Sequence, residues 1–218
     1  MNFNYLTAFE NIPYFTVESF KQLFEDQVKD SSYINILLHR WAGAGHLIPL
    51  KRGFYMTRRF FELHRGDADF SMAVSAILLP QSYISLEYIL QRRSILTEVT
   101  YPVTSITLKN TRAVENKLGT FTYQHIKPEL YSGFSVSEYY GTPFAQASLA
   151  KALFDYLYLR PFKGALAFKN YDLAEDLRLN LDEVSPADWE EFIRYVETSQ
   201  IAKMELIIDH LRKTTWQH

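Results

Sequence analysis

The residues able to do chemistry fall into a few short patterns. Asp67, Ala68 and Asp69 form D-x-D, a pair that holds magnesium for phosphoryl transfer when a strand presents it after a Gly-Ser turn. Here Arg65 and Gly66 precede the pair and a helical pattern follows. Both aspartates are therefore expected to cap that helix in its electropositive first turn. Ser148 and Lys151 match S-x-x-K, the nucleophile and base spacing of penicillin-binding enzymes, but neither Ser-Asp-Asn nor Lys-Thr-Gly accompanies them. Ser148 reads as the N-cap of an ordinary helix. Gly43, Ala44 and Gly45 end a helical pattern instead of opening one, so they cannot aim a helix N-terminus at phosphate. The histidines, His39, His46, His64, His125, His210 and His218, have no i, i+4 pair and no carboxylate-flanked metal spacing. The expectation is a protein that is not an enzyme and uses no cofactor or metal. An enzyme acting on nucleotides through Asp67 and Asp69 is the competing chemical reading, and it requires activity that Asp67→Ala removes.

Charge is distributed less evenly than the formal net of −2 suggests. Between His39 and Arg65 the cations Arg40, Lys51, Arg52, Arg58, Arg59 and Arg65 face Glu62 alone. Between Asp172 and Asp209, eleven acidic residues face Arg178, Arg194 and Lys203. The acidic run fits either the solvated faces of amphipathic helices or a surface for a basic protein partner. The aromatic group Tyr131, Phe134, Tyr139, Tyr140 and Phe144 has few cations among it, which favours a core or protein interface over base stacking.

The elements that must position these residues follow from periodicity. With 218 residues, 47% of them apolar, and with 16 Phe and 15 Tyr, the chain can bury a core, which excludes general disorder. The absence of cysteine removes disulfides, thiolate metal sites and thiol nucleophiles, and fits a reducing compartment, so a cytoplasmic location is expected. The longest apolar run, Met72 to Leu79, stops at Pro80, well short of the roughly 18 residues a membrane span needs. Met1 to Glu10 does not read as a signal peptide, so no membrane association is expected. Thr16 is placed to cap a helix carrying Val17, Phe20, Leu23 and Phe24. A second helix opens at Asp30 or Ser31, buries Ile34, Leu37, Leu38 and Trp41, and ends at Gly43 or Gly45. Leu47 to Leu50 and Phe54 to Met56 are extended runs around a Lys51-Arg52-Gly53 turn, with Pro49 marking an edge strand.

Two helices followed by a hairpin with a basic tip is the order of a winged helix-turn-helix, expected over residues 1–65. Its outward helix face would present Ser31, Ser32, Asn35 and His39 to base edges, and Arg40, Lys51, Arg52, Arg58 and Arg59 would neutralise phosphates. Residues 66–218 read as a larger mixed α/β domain. Helices are expected from Ala68 to Leu79 and from Ser85 to Arg92, the latter capped by Ser85. Strands are expected at Val103 to Leu108, Thr120 to Ile126 and Gly133 to Tyr140. A C-terminal helical segment follows at Ser148 to Leu159, Trp189 to Glu197 and Gln200 to Arg212. Strands grouped before helices give an α+β class.

With these residues in view, the chain from Tyr14 to Arg212 resembles the AbiEi family of bacterial antitoxins, from abortive-infection toxin-antitoxin systems. In the first domain the likeness is carried by Leu37, Leu38, Gly45, Leu47 and the run Leu50-Lys51-Arg52-Gly53-Phe54-Tyr55. In the second it is carried by Tyr83-Ile84-Ser85-Leu86-Glu87, Val103-Thr104-Ser105-Ile106-Thr107, Gly119-Thr120-Phe121-Thr122-Tyr123 with His125-Ile126-Lys127, and Lys151 to Leu159. Leu149 and Ala150 stand where members often carry Pro-Glu, and Arg92, Arg93 and Ser94 replace a glycine-containing turn. The resemblance implies a protein that represses its own operon by binding double-stranded DNA at promoter repeats. It also implies a second domain that counteracts a cognate nucleotidyltransferase-like toxin, directly or indirectly. The alternative is a winged-helix regulator whose second domain senses a small molecule and has no toxin partner.

Overall fold

The computed structural model describes residues 4–25, 31–98, 102–162 and 172–214, which mix helix and strand in an α+β arrangement. They divide into two compact units, one of residues 1–80 with 114–119 and 138–144, the other of residues 81–113, 120–137 and 145–218. Residues 66–80 thus group with the first unit, beyond the division at 65 that the end of the basic segment suggests.

The first unit opens with α1 (Asn4–Thr7), β1 (Phe15–Thr16), α2 (Val17–Leu23) and α3 (Ser31–Gly43). Thr16 closes β1 and caps α2: its Oγ1 accepts from the Ser19 amide at 3.0 Å, while Ser19 Oγ accepts from the Thr16 amide at 2.9 Å. Val17, Phe20 and Phe24 point inward as their spacing requires. Leu23 does not: it is 53% exposed, because 100° per residue sets it roughly 90° around the helix from that line. Asp30 lies outside the described residues, and α3 is helical from Ser31. Its Ile34, Leu37, Leu38 and Trp41 join Phe9, Phe15, Phe20, Phe24 and Leu47 in one core, with Phe9 stacked on Phe15 at 4.2 Å.

Strands β2 (Leu47–Lys51) and β3 (Phe54–Thr57) follow, antiparallel, with Ile48 opposite Met56 and a register shift between Pro49 and Lys51. β3 also pairs with β1, so the sheet order is β1-β3-β2 and the Pro49 strand lies at an edge. Gly53 turns the chain at φ +78°, a conformation without penalty for a residue lacking Cβ. Thr57 then caps α4 (Arg58–His64), an element absent from the periodicity reading, by accepting from the Phe60 amide at 3.1 Å.

Helix α5 (Phe70–Leu78) corrects the capping expectation for the aspartate pair. Asp69 stands at the N-cap position but makes no capping hydrogen bond there. Asp67 Oδ2 instead accepts from the Tyr139 hydroxyl at 2.6 Å and pairs with His64 Nδ1 at 2.9 Å. A phenol and an imidazole thus engage one oxygen of this carboxylate.

The remaining elements are β4 (Ser82–Ile84), α6 (Glu87–Arg92), β5 (Val103–Thr107), β6 (Arg112–Asn116), β7 (Gly119–His125), β8 (Phe134–Tyr139) and β9 (Thr142–Ala147), then α7 (Leu149–Leu159), α8 (Leu173–Asp176), α9 (Pro186–Ser199) and α10 (Ala202–Thr214). The strands form one sheet of order β6-β7-β5-β4-β9-β8, in which β4 is antiparallel to β5 but parallel to β9. The short or weakly alternating strands β4, β6 and β9 had no clear sequence signal. Ser85 does not cap α6. The N-cap is Leu86, at φ +61°, and Ser85 Oγ instead donates to Asp155 at 2.8 Å. Ser148 does cap α7, accepting from the Lys151 amide at 3.1 Å. Of the clustered aromatics, Tyr139 and Phe144 are buried and Phe134 stacks on Tyr83 at 4.8 Å, whereas Tyr140 stays exposed.

Candidate nucleic-acid interface

Helix α3 is positioned by its apolar stripe and by its C-terminal stop. The His46 amide bonds the Trp41 carbonyl at 2.9 Å and the Gly45 amide bonds the Ala42 carbonyl at 3.2 Å, with Gly45 at φ +82°. This paired closure ends a helix with a left-handed residue, and glycine accepts that geometry without steric cost. With Ile34, Leu37, Leu38 and Trp41 turned inward, Asn35, His39 and Arg40 are left exposed, and none of their side chains has a hydrogen-bond or ion-pair partner among the described residues. Ser31 and Ser32 stand in the first turn, and their side chains lie outside the described part of the structure.

From Ser31 to His46 the chain carries no Asp or Glu. The outward face of α3 is therefore neutral to cationic, as a surface meeting a polyanion must be. Two residues of this face escaped the polar-residue reading. Tyr33 and Ile36 are 50% and 49% exposed, although helical apolar residues are normally expected inside. The available signal was angular, since both lie off the arc through Ile34, Leu37, Leu38 and Trp41.

The cations downstream do not gather at one point. Lys51 and Arg52 sit at the turn of the β2–β3 hairpin, whereas Arg58 and Arg59 begin α4 at its other end. At about 3.3 Å per strand residue, roughly 15 Å separates the two ends. The individual roles differ as well. Lys51 Nζ donates to the carbonyls of Ile77 at 2.5 Å and Leu78 at 3.3 Å, neutralising the partial negative charge at the C-terminus of α5, and it also lies 4.2 Å from the Phe54 ring centroid. This ammonium is held by protein acceptors, which corrects the expectation that it is held out for phosphate. Arg58 Nε donates to the carbonyl of Gly45, two residues past the end of α3, at 3.1 Å, and lies 3.8 Å from Glu62. Arg59 pairs with Glu10 at 3.3 Å and remains largely exposed. Arg40 and Arg52 are exposed with no protein partner among the described residues.

A second polar cluster lies in the other unit, around S-x-x-K. Lys151 Nζ points to Asp155 Oδ1 at 2.5 Å, and Asp155 Oδ2 accepts from Tyr83 at 2.9 Å and Ser85 at 2.8 Å. Burial pushes the Lys151 ammonium down and the Asp155 carboxyl up, and each is opposed by the charge of the other. Ser148 Oγ donates to Glu191 at 2.7 Å, and Glu191 also accepts from Tyr195, whose hydroxyl burial pushes up to about 12. The lysine needed as a base for Ser148 is thus committed to Asp155. The adjoining cavity, lined by Ser132, Lys151 and Tyr195 among others, measures about 20 Å³, about the room one water needs. This constellation ties α7 to α9 through Ser148 and Glu191, and to Tyr83 and Ser85 through Asp155.

A larger cavity of about 870 Å³ in the same unit is lined by Leu86, Glu87, Thr104, Thr122, Gln124, Tyr156 and Arg160, with Arg160 donating to the Tyr156 hydroxyl at 2.7 Å. Among the described residues no group of three or more His, Asp or Glu side chains is arranged to hold a metal, and no helix is long and apolar enough to cross a membrane. No family model matches the chain, and no curated protein matches it.

Proposed function

We propose that the chain is a DNA-binding transcriptional autorepressor and antitoxin without enzymatic activity, acting in the cytoplasm, in which α3 enters the major groove and the β2–β3 hairpin serves as a wing. The observation that carries this reading is the outward face of α3: Asn35, His39 and Arg40, their side chains exposed and unpartnered among the described residues, on a segment free of acid and followed by the β2–β3 hairpin with Arg52 at its turn. A helix with one apolar stripe and one polar, acid-free face, set ahead of a β-hairpin, is the arrangement winged helix-turn-helix proteins use to read base edges while the hairpin meets phosphate. Asn35 pairs with adenine in this reading, His39 reaches a base edge or phosphate, and Arg40 and Arg52 neutralise the backbone, with Arg59 contributing once its surface pairing to Glu10 yields. The resemblance to AbiEi antitoxins supplies the biological setting, in which the second unit counteracts a nucleotidyltransferase-like toxin.

The test is a mobility shift on the chain's own upstream region combined with toxin rescue. Binding that Arg40→Ala and Arg52→Ala weaken, and rescue of cells expressing the downstream nucleotidyltransferase reading frame, are expected. No shift on that region sinks the repressor role, and failure to rescue sinks the antitoxin role. The second reading, a regulator that senses a small molecule, is favoured by the 870 Å³ cavity with its Glu87, Gln124 and Arg160 side chains. The absence of any nucleotidyltransferase reading frame beside the gene would favour it.

A further inference from the structure

Ile36 occupies the middle of the surface that the proposed function assigns to DNA. With 100° per residue, the buried positions Ile34, Leu37, Leu38 and Trp41 centre on one direction, and Ile36 and His39 lie about 30° to either side of the opposite direction. Asn35 and Arg40 lie about 70° to either side of it. One of the two residues nearest the crest of the outward face is thus a branched hydrocarbon, 49% exposed, on a face that also carries an amide, an imidazole and a guanidinium. Leaving such a side chain in water forfeits burial energy that any polar residue there would not need. It also sits in the sixth position of a 13-residue helix, within the N-terminal half that approaches base edges most closely in helix-turn-helix docking.

We infer that Ile36 reads thymine, packing its β-branched side chain against a thymine C5 methyl in the major groove while Asn35 beside it pairs with adenine. This rests on the reading of α3 as the major-groove helix. The thymine methyl is the one apolar group the major groove offers, so it is the complement a hydrocarbon on that face requires. A protein partner is the other class of surface that could cover Ile36. The acid-free, cationic surroundings of the residue favour the nucleic acid.

The experiment uses the full chain. Duplexes are enriched from a random pool by binding, and each thymine of an enriched duplex is then replaced singly by deoxyuridine, which lacks only the methyl. At one or two positions the native protein is expected to lose about four-fold in affinity, the equivalent of one buried methyl group. Ile36→Ala is expected to bind thymine and uridine duplexes alike there, with unchanged thermal unfolding, and Ile36→Val to retain part of the discrimination. Indifference of the native protein to uridine at every position would overturn the inference, as would an Ile36→Ala protein that still discriminates. An Ile36→Ala protein that still discriminates but no longer neutralises toxin would reassign the residue to a protein contact. Failure to enrich any duplex is a different result, because it removes the DNA reading itself.

Discussion

Helices α3 and α7 carry their polar side chains on opposite terms. α3 has one buried stripe and leaves Asn35, His39 and Arg40 in solvent, whereas α7 is buried nearly all round and holds Lys151 and Asp155 inside, 1% and 0% exposed. The cost of the α7 arrangement is visible in the opposing shifts that burial imposes on the pair, and it is offset by the mutual attraction and by the Tyr83 and Ser85 hydroxyls. Polar side chains thus do structural work in one helix and stand in solvent in the other. What separates them is the arc of the helix that meets the core. Lys51, Arg58 and Lys203 extend the lesson: Lys51 and Lys203 donate to carbonyls at the end of a helix, Lys203 to Tyr158 at 2.5 Å and Arg160 at 2.8 Å, and Arg58 donates to the Gly45 carbonyl just past one. A cation in the sequence is not yet a cation offered to a ligand.

The largest effect is expected where the contrast is sharpest. Asp155→Ala strands a buried ammonium and two hydroxyls, and chemical denaturation should record a loss of about 3–5 kcal/mol. The double variant Lys151→Met with Asp155→Leu should lose clearly less than that, and equal losses would mean that the pair is not the reason for the sensitivity. Leu38→Ala, on the buried stripe of α3, should cost about 2–5 kcal/mol, while Arg40→Ala on its outer face should stay within about 0.5 kcal/mol of the native protein. A similar cost at both positions would break the two-faced description of α3.

The hairpin turn offers a finer division. Lys51→Ala should lower stability by about 1–2 kcal/mol through its lost bonds to α5 and leave the salt dependence of DNA binding unchanged. Arg52→Ala should leave stability alone and flatten the slope of log affinity against log salt by about 0.9. Exchange of these two outcomes would return Lys51 to the interface. The smallest effect concerns Asp67, whose carboxyl is held below its ordinary value by the Tyr139 hydroxyl and then by His64. A lowered native value contributes stability that is complete above the ordinary carboxylate range and fades as pH falls through the lowered one. Below about pH 4 the native protein should therefore lose stability faster than Asp67→Asn, and parallel acid-unfolding curves would remove Asp67 from the account.

Much of the first unit was legible because its signals are local. Thr16 followed by Ser19, the four-residue stripe of α3, Gly45 past its end and Pro49 on an edge strand each act within one turn or one strand pair. Reading α3 by residue polarity alone found Asn35 and His39 and passed over Ile36 and Tyr33, where the angle around the helix was the better guide. The second unit was less legible. β4, β6 and β9 are short or weakly alternating, and Ser85 has the look of a cap while its hydroxyl serves a carboxylate 70 residues away.

By itself the sequence determined the helix stripes, the caps at Thr16 and Ser148, the hairpin turn and the acid-free segment from Ser31 to His46, because periodicity, capping and charge are properties of neighbours along the chain. Only the tertiary structure decided which cations are held by helix ends, that Asp67 belongs to Tyr139 and His64, and that Tyr83, Ser85, Lys151 and Asp155 share one buried network. Those outcomes depend on which acceptor lies within about 3 Å of a charged group after folding, and chain order does not specify that distance.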